Sequence, residues 1–317
     1  MSPPVSLQRC PSYAAEHLDP ALDALLAPLG GLEAFVSSGQ RVILKPNLLS
    51  AAAPETAACT HPALLEALAR RILALGATPI IGDSPAWGGP VSVAAASGVA
   101  EVCERLRIEF VCFDQHARLA SRYPRVAAHF HCEPRLLEAD VVINVAKLKS
   151  HQQLGFTGAV KNLYGCLSGR SKAWHHLTRS HTDANFARYI VAYATSLPVK
   201  LHVVDGILAM EGRGPRLGTP RELGVLAAGI GAVEVDRVLA ELIGLPASHC
   251  LLLDAARELG AGETDLARIP LAGDPLSALR VTDFRLPPLV GTGFSPLRIL
   301  RGWLKTRRMW REEAVAR

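Results

Sequence analysis

Short apolar runs rich in β-branched residues alternate along this chain with longer stretches of helical periodicity. Strands that alternate with helices form βαβ units, and such units build a mainly parallel sheet that is covered by helices. The run ADVVINVAKLKS at residues 139–150 is typical of a strand buried on both faces. The pattern predicts strands near residues 41–49, 78–85, 109–114, 139–150, 199–210 and 222–230, and helices near residues 60–76, 98–108, 185–197 and 232–245.

The sequence carries signals for both ends of the helix predicted at residues 60–76. Thr60 can cap it, Pro62 suits its first turn, and Gly76 suits its stop. Together with the other predicted elements, this helix indicates a two-lobed α/β fold with a Rossmann-like, mainly parallel sheet and helices on both faces. The length of 317 residues divides into a lobe at residues 1–195, a lobe at 196–290 and a tail at 291–317.

The composition narrows the class of protein. Hydrophobic residues make up 49% of the chain, which indicates a globular protein. We find no uninterrupted run of about 18 apolar residues, and the first residues lack the apolar core of a signal peptide. We therefore expect a cytoplasmic protein. The seven cysteines form no C-x-x-C pair, which argues against a disulfide framework, a zinc knuckle or a cysteine-bound iron–sulfur cluster.

The formal net charge of +5 comes from the tail. Residues 297–317 hold seven Arg or Lys against Glu312 and Glu313, so the rest of the chain is balanced and no nucleic-acid binding is predicted. Apolar residues recur in this tail at helical spacing. It therefore forms either an amphipathic helix on an anionic membrane surface or a helix docked on the core.

Residues 141–182 contain no Asp or Glu. The window is rich in Lys, Arg, His and Gly, so its positive field has no local counter-charge. One interpretation is a solvated basic face, and the other is a cleft for a small anion, with glycines that let the backbone approach the ligand. The candidate binding residues in this window are Lys147, Lys149, Gly158, Lys161, Asn162 and Arg170.

Polar loops follow several of the predicted strands. In open parallel sheets, ligands bind beyond the carboxyl ends of the strands, so these loops are expected to share one cleft. Asp83 is either a general base or an Asx turn before Pro85, and Asp205 has the same two interpretations. Glu211 opens a Gly/Pro/Arg loop that suits a lid or is simply a solvated loop. The candidates outside the basic window are Lys45, Asn47, Asp83, Asp205 and Glu211.

Several motifs together resemble the domain of unknown function 362 family over residues 40–250. They are KPNLLS, THPALLEAL, GDSP, DVVINVAKLKSH, GFTGAVKNLYGCLSGRSKAWHH, PRELGVLAAG and VDRVLAELIGL. Many members of that family are described as iron–sulfur proteins because a four-cysteine module is attached. This sequence lacks that module, so no iron–sulfur cluster is expected.

The segment KLKSHQQLGFTGAVKNLYGCLSG is also distantly similar to lactate racemase. That resemblance implies that His151 is a catalytic acid/base and that Lys161 carries a nickel-pincer nucleotide, with His175 or His176 as a metal ligand. The alternative for each His is a surface or hydrogen-bonding role. The sequence departs from the racemase pattern at Ala159-Val160 and from Cys166 to Gly169, which supports a shared fold and site position better than a shared cofactor.

These patterns lead to one main hypothesis. We expect an enzyme that binds a small anionic metabolite, a carboxylate or phosphate, in an interlobe cleft, with His151 and Asp83 transferring protons in racemase- or isomerase-like chemistry. The alternatives are a non-catalytic cofactor- or metal-binding assembly protein and a peripheral membrane protein that uses residues 297–317. The cofactor is left open between a metal and a nucleotide-derived group, and no pattern specifies an oligomeric state.

Overall fold

A computed structural model describes residues 4–167 and 182–291. The strands are β1 Val5–Arg9, β2 Arg41–Lys45, β3 Thr78–Asp83, β4 Glu109–Cys112, β5 Ala117–Ala120, β6 His129–Cys132, β7 Val141–His151, β8 Gly155–Thr157, β9 Leu201–Glu211, β10 Thr219–Gly229 and β11 Leu271–Gly273. The helices are α1 Ala15–Leu26, α2 Pro62–Ala74, α3 Pro90–Ala96, α4 Val99–Leu106, α5 Arg135–Glu138, α6 Ala159–Asn162, α7 Asp183–Ser196, α8 Ala232–Leu242, α9 Leu251–Leu259 and α10 Leu276–Leu279.

Nine of these strands form one sheet in the order β11-β1-β10-β9-β7-β2-β3-β4, with β8 paired to the end of β7. The five strands from β9 to β4 are mutually parallel. Strand β10 pairs in antiparallel orientation with both β9 and β1. The predicted α/β class with a mainly parallel sheet is therefore confirmed.

Strand β7 lies in the middle of the sheet, and all of its eleven residues are buried. Two apolar cores cover the two faces, because successive side chains of a strand point to opposite sides. Val141, Ile143 and Val145 pack on the face covered by α1, α2 and α4. Val142, Ala146 and Leu148 pack on the face covered by α6, α7, α8 and α9. Helices on both faces are thus part of the observed fold.

The helix predicted at residues 60–76 is α2, but its cap differs from the prediction. His61 is the N-cap residue, and its side chain accepts a hydrogen bond from the backbone N–H of Ala63. The hydroxyl of Thr60 instead donates to the carbonyl of Val145 on β7, at 2.7 Å. Thr60 therefore ties the loop after β2 to the central strand.

The predicted lobe boundary at residue 195 falls inside α7. Strands on both sides of it belong to the same sheet, with β7 paired directly to β9. The division into two lobes stays a prediction. In the described ranges, no helix has the length and apolar character needed to cross a membrane. The tail at 297–317 lies outside those ranges.

Candidate functional site

Three lysines are buried where β2 and β7 end: Lys45, Lys147 and Lys149 are each at most 1% exposed. Moving an ammonium group out of water costs several kcal/mol unless a counter-charge or hydrogen bonds compensate. Buried lysines are rare for that reason. For Lys147 and Lys149, this burial excludes the interpretation of residues 141–182 as a wholly solvated basic face.

Lys45 forms an ion pair with Asp83, with 2.7 Å between Nζ and Oδ1. The carboxylate of Asp83 also accepts hydrogen bonds from the backbone N–H groups of Leu48 and Ser84. Gly165 lies against this pair, and a Cβ there would come within 2.6 Å of both charged atoms. Asp83 is therefore a buried counter-ion that also fixes the loop after β2. The catalytic role predicted for it stays a prediction.

Lys147 forms an ion pair with a second carboxylate, that of Asp205 on β9, with 2.8 Å between Nζ and Oδ2. Tyr13 donates its hydroxyl proton to the other oxygen of Asp205 at 2.6 Å, and the ring of Tyr13 stacks on His61 with centroids 3.6 Å apart. Burial raises the pKa of Tyr13, and the charge of Asp205 adds to that effect, so the phenol stays a donor. Burial lowers the pKa of Lys147, and Asp205 opposes that shift.

Lys149 differs from the other two lysines because none of its hydrogen-bond partners is a carboxylate. Its Nζ donates to Oδ1 of Asn47 at 2.7 Å and to the carbonyl oxygen of Ala58 at 2.5 Å. Burial lowers the pKa of Lys149 to about 7. Cys59 and Asp83 oppose that shift, while the charges of Lys147 and Lys45 add to it. At neutral pH this amine is therefore divided between its charged and neutral forms.

A chain of amide side chains links Lys149 to Asn144 in strand β7. Asn47 donates to Asn162 at 2.8 Å, and Asn162 donates to Asn144 at 2.7 Å. Asn144 is within 2.9 Å of both the carbonyl of Ala159 and Nδ1 of His202. Burial lowers the pKa of His202 to about 3, so its ring is neutral. The network thus holds Asn47 and Asn162 in fixed orientations without adding a charge.

The glycine turn before α6 holds a carboxylate that belongs to the protein itself. Asp236 on α8 accepts hydrogen bonds from the backbone N–H groups of Ala159 and Val160, at 2.5 and 3.1 Å. A Cβ on Gly158 would collide with this carboxylate, so glycine is required there. These donors, which the sequence suggested for an external anion, are therefore engaged. Burial raises the pKa of Asp236 to about 7, although both hydrogen bonds oppose that shift.

The other predicted site residues lie around this core. Lys161 is half-buried, with Nζ 4.7 Å from the ring centroid of Tyr164. His151 ends β7, and its Nδ1 accepts from the backbone N–H of Gln153. Glu211 is buried and binds the guanidinium of Arg285 at 2.6 Å. The remaining predicted candidates, Arg170, His175 and His176, lie outside the described residues.

Within residues 4–167 and 182–291, no group of three or more His, Cys, Asp or Glu side chains is arranged to hold a metal ion. None of the seven cysteines, all of which lie in the described ranges, forms a disulfide. The turn before α6 does not fit a cofactor phosphate, because Asp236 already occupies its donors. We therefore derive no chemical step through a bound cofactor.

In the described part of the chain, two surface cavities are lined by residues other than the three buried lysines. One, of about 230 Å³, is lined by Glu109, Asp114 and Arg135 among others. The second, of about 320 Å³, is lined by His61 and by residues of α2 and α4. Since His61 stacks on Tyr13, this second cavity approaches the Lys147–Asp205 pair from outside. The interlobe cleft itself stays a prediction.

Sequence reasoning missed several residues that complete the site. Tyr13 and His61 belong to segments that carried no chemical motif, and Asn144 was hidden in an apolar strand. Asp236 lies in the motif VDRVLAELIGL, which was used only as a family marker. A polar residue inside an apolar run is the signal by which Asn144 could have been found.

The fold and the site define an α/β protein with a cluster of buried lysines at the carboxyl ends of parallel strands. The chain belongs to the family described as domain of unknown function DUF362, whose profile matches residues 42–241. It is 37% identical over 302 residues to a thylakoid-associated protein of Synechocystis sp., covering 95% of this chain and 93% of that protein.

Solved structures give more distant similarities. The lactate racemase apoprotein from Thermoanaerobacterium thermosaccharolyticum has a TM-score of 0.43 and 16% identity, over 65% of this chain and 50% of that one. A protein from Thermotoga maritima has a TM-score of 0.39 and 15% identity, over 68% and 55% of the two chains. This chain therefore spans about half the length of each. The resemblance to the domain of unknown function 362 family noted in the sequence is confirmed by the profile match.

The Lys147–Asp205 pair can be tested by a double-mutant cycle. We expect Lys147→Met and Asp205→Asn each to lower the free energy of unfolding by about 3–5 kcal/mol, because each leaves the other partner buried without its counter-charge. The double variant should lose less than the sum of the two. Urea denaturation measures all three. The exposed Arg257–Asp254 pair is the control, with an expected loss below about 1 kcal/mol for Arg257→Met. Additive losses in the cycle would contradict a direct interaction.

The capping carboxylate of Asp236 predicts a specific pH dependence. Its pKa is about 7 in the folded state, against an ordinary value of 3.8 for an aspartate, so the folded state holds the proton more tightly. The stability that this provides is complete below pH 3.8 and is lost as the pH rises through 7. We expect Asp236→Asn to weaken that decline, as measured by urea denaturation between pH 4 and 8. Asp114→Asn, at an exposed aspartate, should keep the wild-type profile. Identical profiles for all three proteins would refute the assignment.

Proposed function

We propose that this protein is an enzyme that binds a small anionic metabolite, a carboxylate or a phosphate, against Lys149. The observation that carries the proposal is the imbalance of buried charge. Lys45 and Lys147 each have a carboxylate within 2.8 Å, whereas both acceptors of Lys149 are neutral. A bound anion would supply the missing counter-charge, and the amine would then be fully protonated.

Charge in the surroundings supports the same location. Lys149 lies within the 42-residue window that contains no Asp or Glu, so no nearby residue in the sequence competes with an external anion. Lys161 and Asn162 follow the glycine turn, and Asn162 reaches Lys149 through Asn47. Lys161 would add a second positive charge at the edge of the site.

Proton transfer is the chemistry that this arrangement favours. An amine with a pKa near 7 can accept or release a proton at neutral pH, which suits a general acid or base. His151 lies two residues further along β7, so its side chain is on the same face of the strand as Lys149. Asp83 would have to release Lys45 and two backbone donors before it could act as a base. We therefore assign the proton transfer to Lys149 and His151 ahead of Asp83.

Anion binding should be coupled to proton uptake by Lys149. We expect acetate, pyruvate or inorganic phosphate to raise the thermal midpoint at pH 6, because the protonated amine pairs with the anion. Above pH 7, the dissociation constant should rise by about tenfold per pH unit, since the free amine has lost its proton. Calorimetric titration at several pH values measures this.

Two variants separate a specific site from a general charge effect. Lys149→Met should abolish the effect of the anion, while Lys200→Met, at an exposed lysine, should leave it unchanged. Equal binding by all three proteins would refute the assignment to Lys149. Binding without turnover of any small acid would favour the alternative of a non-catalytic binding or assembly protein.

A second candidate function is peripheral membrane association. The relative from Synechocystis is named a thylakoid-associated protein, and residues 297–317 combine basic residues with Leu297, Leu300, Trp303, Leu304 and Trp310. Basic residues near an anionic lipid surface contribute about 1 kcal/mol each. In this proposal the tail binds anionic lipid headgroups and inserts its apolar side chains between them.

Liposome flotation tests this second function. The full chain should float with vesicles that contain phosphatidylglycerol and not with neutral phosphatidylcholine vesicles, and salt should reverse binding. The triple variant Arg307→Gln/Arg308→Gln/Arg311→Gln should lose it, while Arg213→Gln, in an exposed loop, should not. Equal flotation of the triple variant would exclude the tail as the anchor.

A further inference from the structure

The three buried lysines differ in the hydrogen-bond acceptors around each amine. An ammonium group has three N–H donors and no lone pair, whereas a neutral amine has two donors and one lone pair. Lys45 has three acceptors, from Asp83, Pro46 and Asn162, and Lys147 has two, the carboxylate of Asp205 and the hydroxyl of Tyr13. Lys149, within the described part of the chain, also has two, but both are neutral: the side-chain oxygen of Asn47 and the carbonyl of Ala58. Two neutral acceptors match the donors of a neutral amine and leave its lone pair unused.

Strand β8 places a hydroxyl group next to the side chain of Lys149. Lys149 and Thr157 are direct partners in the antiparallel β7–β8 pair, so their side chains lie on the same face and close together. Thr157 is 2% exposed, and its Oγ1 has no hydrogen-bond partner among the described residues. A buried hydroxyl without a partner is costly, and a role in binding or catalysis is one of its recognised explanations.

We infer that Lys149 is a nucleophile that forms an imine with the carbonyl carbon of a 2-oxo acid, with Thr157 positioned to hydrogen-bond the carbonyl oxygen. This rests on the proposed function, since it names the substrate class and the chemistry of the same anion site. It uses the lone pair of Lys149 and the unpartnered hydroxyl of Thr157 together.

The step is balanced without any co-reactant. The lone pair of Nζ attacks the carbonyl carbon, and the π electrons move to the oxygen, which takes up a proton. Nζ loses one proton, which gives a carbinolamine. The hydroxyl then takes a proton and leaves as water, and the nitrogen lone pair forms the C=N bond. One amine, one carbonyl group and one proton from water become one protonated imine and one water molecule, with no change of oxidation state.

Charge balance selects a 2-oxo acid over a neutral ketone. The protonated imine carries a positive charge in a place where Lys149 has no carboxylate partner. A 2-oxo acid brings its own carboxylate on the adjacent carbon, so the buried group would be close to neutral. A neutral ketone would leave that charge uncompensated, at a cost of several kcal/mol.

The acidity of Lys149 supports the same role. Its pKa is lowered to about 7, mainly by burial, so about half of it is neutral at pH 7. An ordinary lysine with a pKa of about 10.4 has roughly one neutral molecule in a few thousand at that pH. Desolvation and a neighbouring cation are a known means of activating a lysine for imine formation. The carbonyl oxygen of Ala58, in the loop after β2, accepts a hydrogen bond from this amine.

Borohydride trapping tests the inference on the full chain. Pyruvate is the probe, and acetone is the neutral ketone control. Acetate, which has a carboxylate and no ketone group, is the competitor. After reduction and digestion, mass spectrometry maps the modified lysines. We expect Lys149 to carry a reduced pyruvyl group, at a level more than about tenfold above exposed Lys200 at pH 7. Acetone should label Lys149 weakly, and acetate should compete with pyruvate.

Two variants extend the test. Lys149→Arg should remove the label, and Thr157→Val, which keeps the shape and removes the hydroxyl, should lower it severalfold. Because the internal comparison with Lys200 uses the wild-type chain, the result stands even if a variant fails to fold.

Each outcome has a definite meaning. Labelling of Lys149 by pyruvate above Lys200, with competition by acetate, supports the inference. Equal labelling by acetone overturns the 2-oxo acid class. An unlabelled Lys149 together with a thermal shift by pyruvate overturns the inference and leaves the proposed anion site standing. An unlabelled Lys149 with no anion-dependent shift overturns both.

Discussion

The desolvation of positive charge is the constraint on which this site depends. Three lysine amines lie in the interior, where an unpaired charge costs several kcal/mol. Two carboxylates, Asp83 and Asp205, accompany them from neighbouring parallel strands. The three amines therefore carry one more positive charge than the two carboxylates can neutralise, unless Lys149 loses its proton or an anion binds. Burial is the main cause of the lowered pKa of Lys149, and the positive charges of Lys147 and Lys45 add to it.

The topology of the sheet explains why these residues meet. Strands β2, β3, β7 and β9 run parallel, so residues separated by up to 160 positions in sequence emerge at the same edge. Because both strand periodicity and loop polarity are local signals, the sequence was sufficient to predict that Lys45, Asp83, Lys147 and Asp205 come together. It was equally sufficient for the positions of α2 and the central strand β7.

The partners within the site could not be predicted in the same way. Lys147 and Lys149 are two residues apart and have the same local pattern, yet one has a carboxylate and the other has two neutral acceptors. That difference arises from the register of β9 and from the path of the loop after β2, which are long-range features. Asp236 likewise reaches the turn before α6 from a different helix, 76 residues away from Val160. The absence of local carboxylates showed where a counter-charge was missing, and not which lysine lacked it.

The racemase resemblance and the charge balance of the site select different lysines. The lysine that the racemase resemblance singles out, Lys161, is half-buried over the ring of Tyr164. Lys149 lies deeper, and its amine has the lowered pKa that nucleophilic or acid–base chemistry needs at neutral pH. Since the turn before α6 is held by Asp236, Lys161 also lacks the backbone donors that would accompany a bound phosphate. The charge balance of this chain thus moves the expected chemistry from the residue selected by similarity to one selected by its surroundings.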